Sequence, residues 1–323
     1  MASKSKIKVV VFDVDETLGN FSQFSIFAHA IEDYFDKPDI TYRYFNDLVD
    51  LYPEIIRPSM LRILEYIRKK KNANACSKVM IYTNNMGPDT WVAHIRKYFE
   101  YKLRASAASA AATSGGLAIT PPLFDHTIGG FKPQNPGSAS ASAFPQRSTK
   151  EKTVNELIRC ARLPQDTDIC FLDDLYHPKM TDERVYYIKL QPYHCYIPFH
   201  TFVTRFCKSA LYRDVFAISP TDANELHALF VKYANIAKYD AKAHQRKMYP
   251  REIDEIISKY ILYHLHQFFR DGPPPSTPRM YSRKTTKTAK KNRSSPSVTP
   301  NNVFYVDKAH SLKNMRNKTV RNR

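Results

Sequence analysis

The chain has 323 residues, 43% of them hydrophobic, and a formal net charge of +18. That length has room for one sizeable α/β domain with appendages. Its five cysteines (Cys76, Cys160, Cys170, Cys195, Cys207) show no Cys-x-x-Cys spacing, which argues against a disulfide frame or a zinc site and for free thiols in a reducing compartment. No apolar stretch is long enough to span a bilayer, and the N-terminal apolar run stops at Phe12, short of a secretory signal. A soluble, intracellular protein, cytoplasmic or nuclear, is the expectation. The charge is unevenly spread. From Asp271 to Arg323 thirteen Lys and Arg face only Asp271 and Asp307, a local charge of +11 that leaves +7 for residues 1–270.

Ile7 to Phe12 is an almost unbroken β-branched and apolar run, the pattern of a strand buried on both faces of a parallel sheet. It ends in three acids, Asp13, Asp15 and Glu16. In open α/β sheets ligands bind just outside the carboxyl ends of strands, and two aspartates one residue apart can direct a side chain and a backbone carbonyl at one hard cation. Taken alone, Asp-x-Asp also fits an acidic surface turn. Phe21, Phe24, Phe27, Ile31 and Tyr34 then recur at helical spacing, predicting a helix over Phe21 to Phe35. A short second helix is expected over Tyr42 to Tyr52. After Arg57-Pro58 a third carries Met60, Leu61, Leu64 and Ile67 on one face, with Lys69, Lys70 and Lys71 as a solvated end that suits the helix dipole.

Val79 to Tyr82 is a second buried-strand candidate, ending in Thr83-Asn84-Asn85. A helix follows over Trp91 to Leu103. Ala105 to Gly116 and Pro133 to Ala143 are low-complexity segments expected to be flexible surface insertions, with a short strand over Leu123 to Ile128 between them. His126 in that strand suits a packed or solvent-facing histidine better than a ligand. Lys150 and Lys152 precede a helix over Val154 to Arg162. Asp168 to Leu172 is the third buried-strand candidate, ending in Asp173-Asp174, and Val185 to Leu190 is a fourth strand. Phe199 to Tyr212, Thr221 to Lys238 and Arg251 to Phe269 have the spacing of three further helices. The residues from Asp271 onward are rich in Pro, Ser, Thr and Lys and are expected to be disordered. Within them, Lys290-Lys291-Asn292-Arg293 suits an import signal, a phosphate-backbone patch or a solubilising tail. Phe304 and Tyr305 offer a small docking site at most.

Taken in order, Asp13-Val14-Asp15-Glu16-Thr17-Leu18 after a hydrophobic run, Thr83 at the end of the next, Lys152 before a helix and Asp173-Asp174 at the end of a third run resemble the four motifs of the haloacid dehalogenase (HAD) superfamily of phosphohydrolases. The Asp-Glu-Thr-Leu sequence and Arg57-Pro58 resemble most the branch containing the RNA polymerase II C-terminal-domain phosphatases and the NLI-interacting-factor proteins. His177-Pro178 and the strand over Val185 to Leu190 continue the likeness, which spans roughly residues 7–195.

The resemblance implies a three-layer Rossmann-like α/β fold with a central parallel sheet and a small cap insertion. In that division residues 1–198 are the core, holding an insert at 19–56 and low-complexity insertions at 105–122 and 132–147. Residues 199–270 are a helical extension, and 271–323 a disordered basic tail. It further implies that Asp13 is a nucleophile and Asp15 a general acid–base. Mg²⁺ would be held by Asp13, the Asp15 carbonyl and Asp174, with Asp173 in support. Thr83, Asn84, Lys152 and the backbone N–H of Val14 would bind the phosphoryl oxygens. Lys152 is the first choice for the third-motif lysine by its place against the helix start, and Lys150 the reserve. The implied substrate is a phosphoserine or phosphothreonine protein. A nucleic-acid end phosphatase aided by the basic tail, and a non-catalytic scaffold on the same fold, are the alternatives. Oligomeric state is not legible.

Overall fold

The computed structural model of the chain describes residues 6–114, 121–133, 144–216, 223–274 and 302–307. Six strands form one sheet: β1 (Lys8–Phe12), β2 (Lys78–Tyr82), β3 (His126–Ile128), β4 (Asp168–Asp173), β5 (Val185–Leu190) and β6 (Val303–Val306). Their order is β3-β2-β1-β4-β5-β6 and every pairing is parallel. Parallel neighbours require crossovers that lay helices on the sheet faces, and Val9, Val10, Val11 and Phe12 of β1 are accordingly sealed from solvent.

Alternate strand residues feed two cores. Val10, Phe12, Ile81 and Leu172 face a large one, covered by α1 (Ser22–Tyr34), α3 (Phe45–Asp50), α4 (Met60–Asn72) and α5 (Asp89–Ser114). Val9, Val11, Met80 and Phe171 face a smaller one closed by α6 (Val154–Ala161). The short α2 (Ile40–Arg43) separates α1 from α3. After β5 come α7 (Phe199–Cys207), α8 (Ala223–Ile236), α9 (Ala241–Lys247) and α10 (Arg251–Asp271). The result is an α/β fold of Rossmann-like kind, with its helices divided unequally between the two faces.

The strand order reverses between β1 and β4, because the chain leaves β1 toward β2 and β3 and then crosses back. Such a switch point opens a crevice at the carboxyl ends of the strands. Phe12 pairs with Leu172, so Asp13 and Asp173 emerge there side by side.

The helices beyond β5 are fastened to the insert that follows β1. Phe27 of α1 lies 5.0 Å from Phe230 of α8 and 5.1 Å from Phe202 of α7, and Tyr52 stacks on Phe202 at 4.2 Å. The Gln23 side chain accepts from the Ile197 N–H at 3.1 Å and donates back to the Ile197 carbonyl. Insert and extension therefore share one aromatic core.

Several expectations need correction. The Ala-rich stretch from Ala105 continues the helix to Ser114 instead of forming a flexible insertion, since alanine is the best helix former and no Gly or Pro interrupts the run. The helix expected over Tyr42 to Tyr52 is two short ones, interrupted at Tyr44 (φ −112°, ψ 25°). Lys71 is more than a solvated helix end: it pairs with Asp125 at 2.7 Å and donates to the Leu123 carbonyl at 2.8 Å, anchoring the approach to β3. The tail expected to be disordered supplies β6, so Phe304 and Tyr305 are strand residues. The Lys290–Arg293 cluster lies outside the described residues. The five cysteines form no disulfide. No described helix is long and apolar enough to cross a membrane.

β6 is held by more than its ladder. Asn302 donates to the Val185 carbonyl at 3.1 Å, and Phe304 stacks on Tyr186 at 4.3 Å, beside His264. Phe304→Ala is expected to destabilise the chain by about 1–2 kcal/mol, and deletion from Asn302 onward by more, with self-association through the bared β5 edge. Thermal melts and light scattering measure both. Unchanged melting midpoints would show that β5 is the working edge.

Candidate active site

Every element meeting at the crevice delivers a polar group. Asp13 follows β1, and Asp173 and Asp174 end β4. Each offers a carboxylate oxygen, and these three oxygens lie within 4.8 Å of one another, all in buried residues. Lys152 reaches them from the residue before Thr153, the N-cap of α6, whose hydroxyl accepts from the Glu156 N–H at 3.0 Å. The cap halts the helix there and leaves the preceding backbone extended. The Lys152 ammonium, only 2% exposed, donates to Asp13 at 2.6 Å and to Asp173 at 2.7 Å. Lys150 is exposed, and its carbonyl accepts from Arg147. Of the two lysines, Lys152 is the one that reaches the acids.

Asp173 has both oxygens occupied: one accepts from the Leu175 N–H at 2.7 Å, the other from Lys152 and lies 3.2 Å from His177 Nε2. In Asp174, Oδ1 accepts from the Thr17 hydroxyl at 3.1 Å, and the Asp174 N–H donates to the same hydroxyl at 3.0 Å. No described residue donates to the second oxygen of Asp13 or of Asp174. These are hard donors suited to Mg²⁺ or Ca²⁺. Asp173 instead orients Lys152.

The Asp15 side chain stands outside this cluster. Its carboxylate accepts from Asn85 Nδ2 at 2.8 Å, and Asn85 Oδ1 is fixed by the Gly87 N–H at 2.9 Å. Thr83 is buried at the end of β2, next to the turn after Asp13, and its hydroxyl accepts from the Asn85 N–H at 3.1 Å. Asn84, expected at the phosphoryl group, is exposed and its Oδ1 accepts from Arg147 at 2.6 Å; it is the next residue, Asn85, that reaches an acid. Val14 is buried, and its carbonyl closes the turn by accepting from the Leu18 N–H at 2.9 Å.

That turn is strained and clamped. Glu16 adopts φ 57°, a left-handed backbone that non-glycine residues seldom take. Arg57 donates to the carbonyls of Glu16, Thr17 and Gln191, and the Tyr193 N–H donates to the Glu16 carbonyl at 2.9 Å. Gly19 is needed because an added Cβ would meet the Ile55 carbonyl at 2.5 Å. Burial pushes the Arg57 pKa down to about 10, still far above neutrality, so the clamp stays charged. His194 lies 3.5 Å from Glu16, but burial lowers its pKa to about 4. The contact is therefore not an ion pair at neutral pH.

Asn85, Arg147, Thr17 and the clamp of Arg57 went unassigned by the motif pattern. Asn85 is adjacent to Asn84, and nothing in the sequence separates the two. Arg147 sits in a low-complexity stretch with no periodicity to mark it as buried.

Burial, then the neighbouring acids, raises the Asp174 pKa to about 7, and burial likewise raises Asp13 against the pull of Lys152. Burial alone would lower Lys152, but Asp13 and Asp173 more than reverse it. Burial tends to raise Asp173 too, yet Lys152 and His177 hold it below the ordinary range. Once Asp13 and Asp174 ionise, Lys152 alone faces three carboxylates, and net negative charge is left over in the crevice.

With folded pKa values above the unfolded ones, the stability contributed by protonated Asp13 and Asp174 is complete below about pH 4 and is lost as pH climbs toward about 7. A bound cation reverses that loss and competes with protons. Millimolar Mg²⁺ is expected to raise the melting midpoint by several degrees at about pH 8 and hardly at all at about pH 5. Asp174→Asn should raise the metal-free midpoint at the higher pH and abolish the magnesium increment. An increment equal at both pH values would place the ion elsewhere. Comparison with protein-family models, with curated proteins and with solved structures finds no match to this chain.

Proposed function

We propose that the chain is a magnesium-dependent phosphomonoester hydrolase of HAD type, working through an aspartyl-phosphate on Asp13, with a phosphoserine or phosphothreonine protein as substrate. The observation that carries this reading is the division of labour between two neighbouring carboxylates. Asp13 lies in the acidic cluster against Lys152, while Asp15 is held away from it by Asn85 at 2.8 Å. One is kept in place as a nucleophile, the other is free to exchange a proton.

Asp13 attacks phosphorus, and the bond to the leaving oxygen breaks as Asp15 donates its proton there. Burial raises the Asp15 pKa against the Asn85 hydrogen bond, which favours the protonated form needed for that step. Water then attacks the phosphorus and gives its proton to Asp15. The bond to Asp13 breaks, and inorganic phosphate leaves. Lys152 holds the Asp13 carboxylate for its attack and stabilises it again as the group that leaves phosphorus, while the Thr83 hydroxyl and the N–H groups after Asp13 stabilise phosphoryl oxygens. Asp13, Asp174 and the Asp15 carbonyl would hold Mg²⁺, which supplies the positive charge that lets an anionic nucleophile meet an anionic ester.

Asp13→Asn should reduce p-nitrophenyl phosphate turnover by at least about 10³-fold with an unchanged circular dichroism spectrum. Asp15→Asn should slow the hydrolysis of alkyl phosphates, which need a proton on the leaving group, far more than that of p-nitrophenyl phosphate. Equal activity of Asp13→Asn and parent would sink the proposal, and zero turnover by the parent on every phosphomonoester would favour a scaffold role.

A further inference from the structure

Three clefts meet at Asn85, the residue that holds Asp15. One, of about 480 Å³, runs between α1 and the turn joining α8 to α9, with Glu16, Trp91, Tyr239 and His244 in its walls. Another, of about 400 Å³, leads past Gly87 to the β3 end of the sheet. The third, of about 250 Å³, shares Trp91 with the first and Gly87 with the second. Joined at Asn85 they make a trough, with Asp15 in the wall of the first cleft.

We infer that this trough seats an extended segment of substrate polypeptide, and that Tyr239 and His244 of the C-terminal extension are specificity-determining residues for the part beside Asp15. The inference rests on the phosphatase reading. A single alcohol group would fill little of the trough, whereas an extended chain occupies it on both sides of the reacting residue. The charge of the lining decides which polymer. Although the chain as a whole carries +18, the cleft beside Asp15 sets Asp15, Glu16 and Asp240 against Lys238 alone. A phosphate backbone draws its affinity from Lys and Arg, so this acidic cleft suits a peptide better than a polynucleotide.

The wall supplied by the extension is chemically unfinished. Tyr239 stacks on His244 at 4.5 Å, and the His194 ring lies 5.7 Å beyond. The Tyr239 hydroxyl, His244 Nδ1 and His194 Nδ1 are buried without hydrogen-bond partners among the described residues. Buried polar atoms rarely stay without partners, and a turn of the Tyr239 or His244 side chain, both of which line the first cleft, would bring them to the N–H and C=O groups of a bound peptide.

Trp91 is the only tryptophan of the chain, and its place in the trough gives a direct signal. The Asp13→Asn variant titrated with a phosphoserine peptide of about ten residues, a length that spans such a trough when extended, should show a saturable change in Trp91 fluorescence. Its affinity should exceed that for free phosphoserine, or for an oligonucleotide with a terminal phosphate, by at least about tenfold. Tyr239→Ala and His244→Ala in that background should each weaken the peptide by about tenfold. In the otherwise native chain they should lower kcat/KM for the peptide more than for p-nitrophenyl phosphate. Equal affinity for peptide and free phosphoserine, tighter binding of the oligonucleotide, or an unaltered peptide affinity in both variants would overturn the inference. Failure of the parent to hydrolyse p-nitrophenyl phosphate is a separate result that removes the phosphatase reading, since the fluorescence titration does not depend on turnover.

Discussion

A single buried ammonium, that of Lys152, lies between two carboxylates, Asp13 and Asp173, while a third, Asp174, stands beside them with one oxygen bound only by a hydroxyl. Burying this much negative charge with one full positive partner is unfavourable. The arrangement persists because the surrounding fold leaves these groups nowhere else to go. Adjacent parallel strands end level with each other, and a capped helix directs the lysine at both. A cation-seeking crevice is the consequence of that geometry, and the proposed chemistry depends on it.

Around this centre the backbone is held by groups that never touch it. Arg57 gathers three carbonyls from two segments, so the turn after Asp13 is tied to the chain just beyond β5. α10 is joined to the same region, since the Ser258 hydroxyl donates to the Pro58 carbonyl, and Asp254 is the chief carboxylate offsetting the buried charge of Arg57. The insert, the sheet and the extension thus brace a turn whose backbone is costly at Glu16. Loss of any one would be felt at Asp15 through carbonyls and packing.

Much of this was legible from hydrophobic runs that end in acids. β1, β2, β4 and β5 announce themselves by β-branched residues, and Asp13, Thr83, Lys152 and Asp174 stand at their ends or before a helix. What the sequence hid was hidden for physical reasons. Four residues, Val303 to Val306, are too short a run to outweigh the Pro, Ser and Lys around them, yet an open sheet edge is enough to order them. The Ala-rich run after Leu103 looks featureless because alanine has no side chain with which to announce a helical face. Asn85, Arg147 and Tyr239 depend on which segments meet in space, and spacing along the chain carries no trace of that.

The outermost strand also has a bearing on biosynthesis. Tyr187 pairs with Val303, so β5 leaves the ribosome more than a hundred residues ahead of its neighbour. At ordinary translation speeds that gap lasts on the order of ten seconds. Throughout it the nascent sheet shows an unsatisfied row of amides and carbonyls, with the face of Tyr186 that Phe304 will stack on still bare. A chaperone, or a rival strand from another polypeptide, has that interval in which to occupy the place β6 will take.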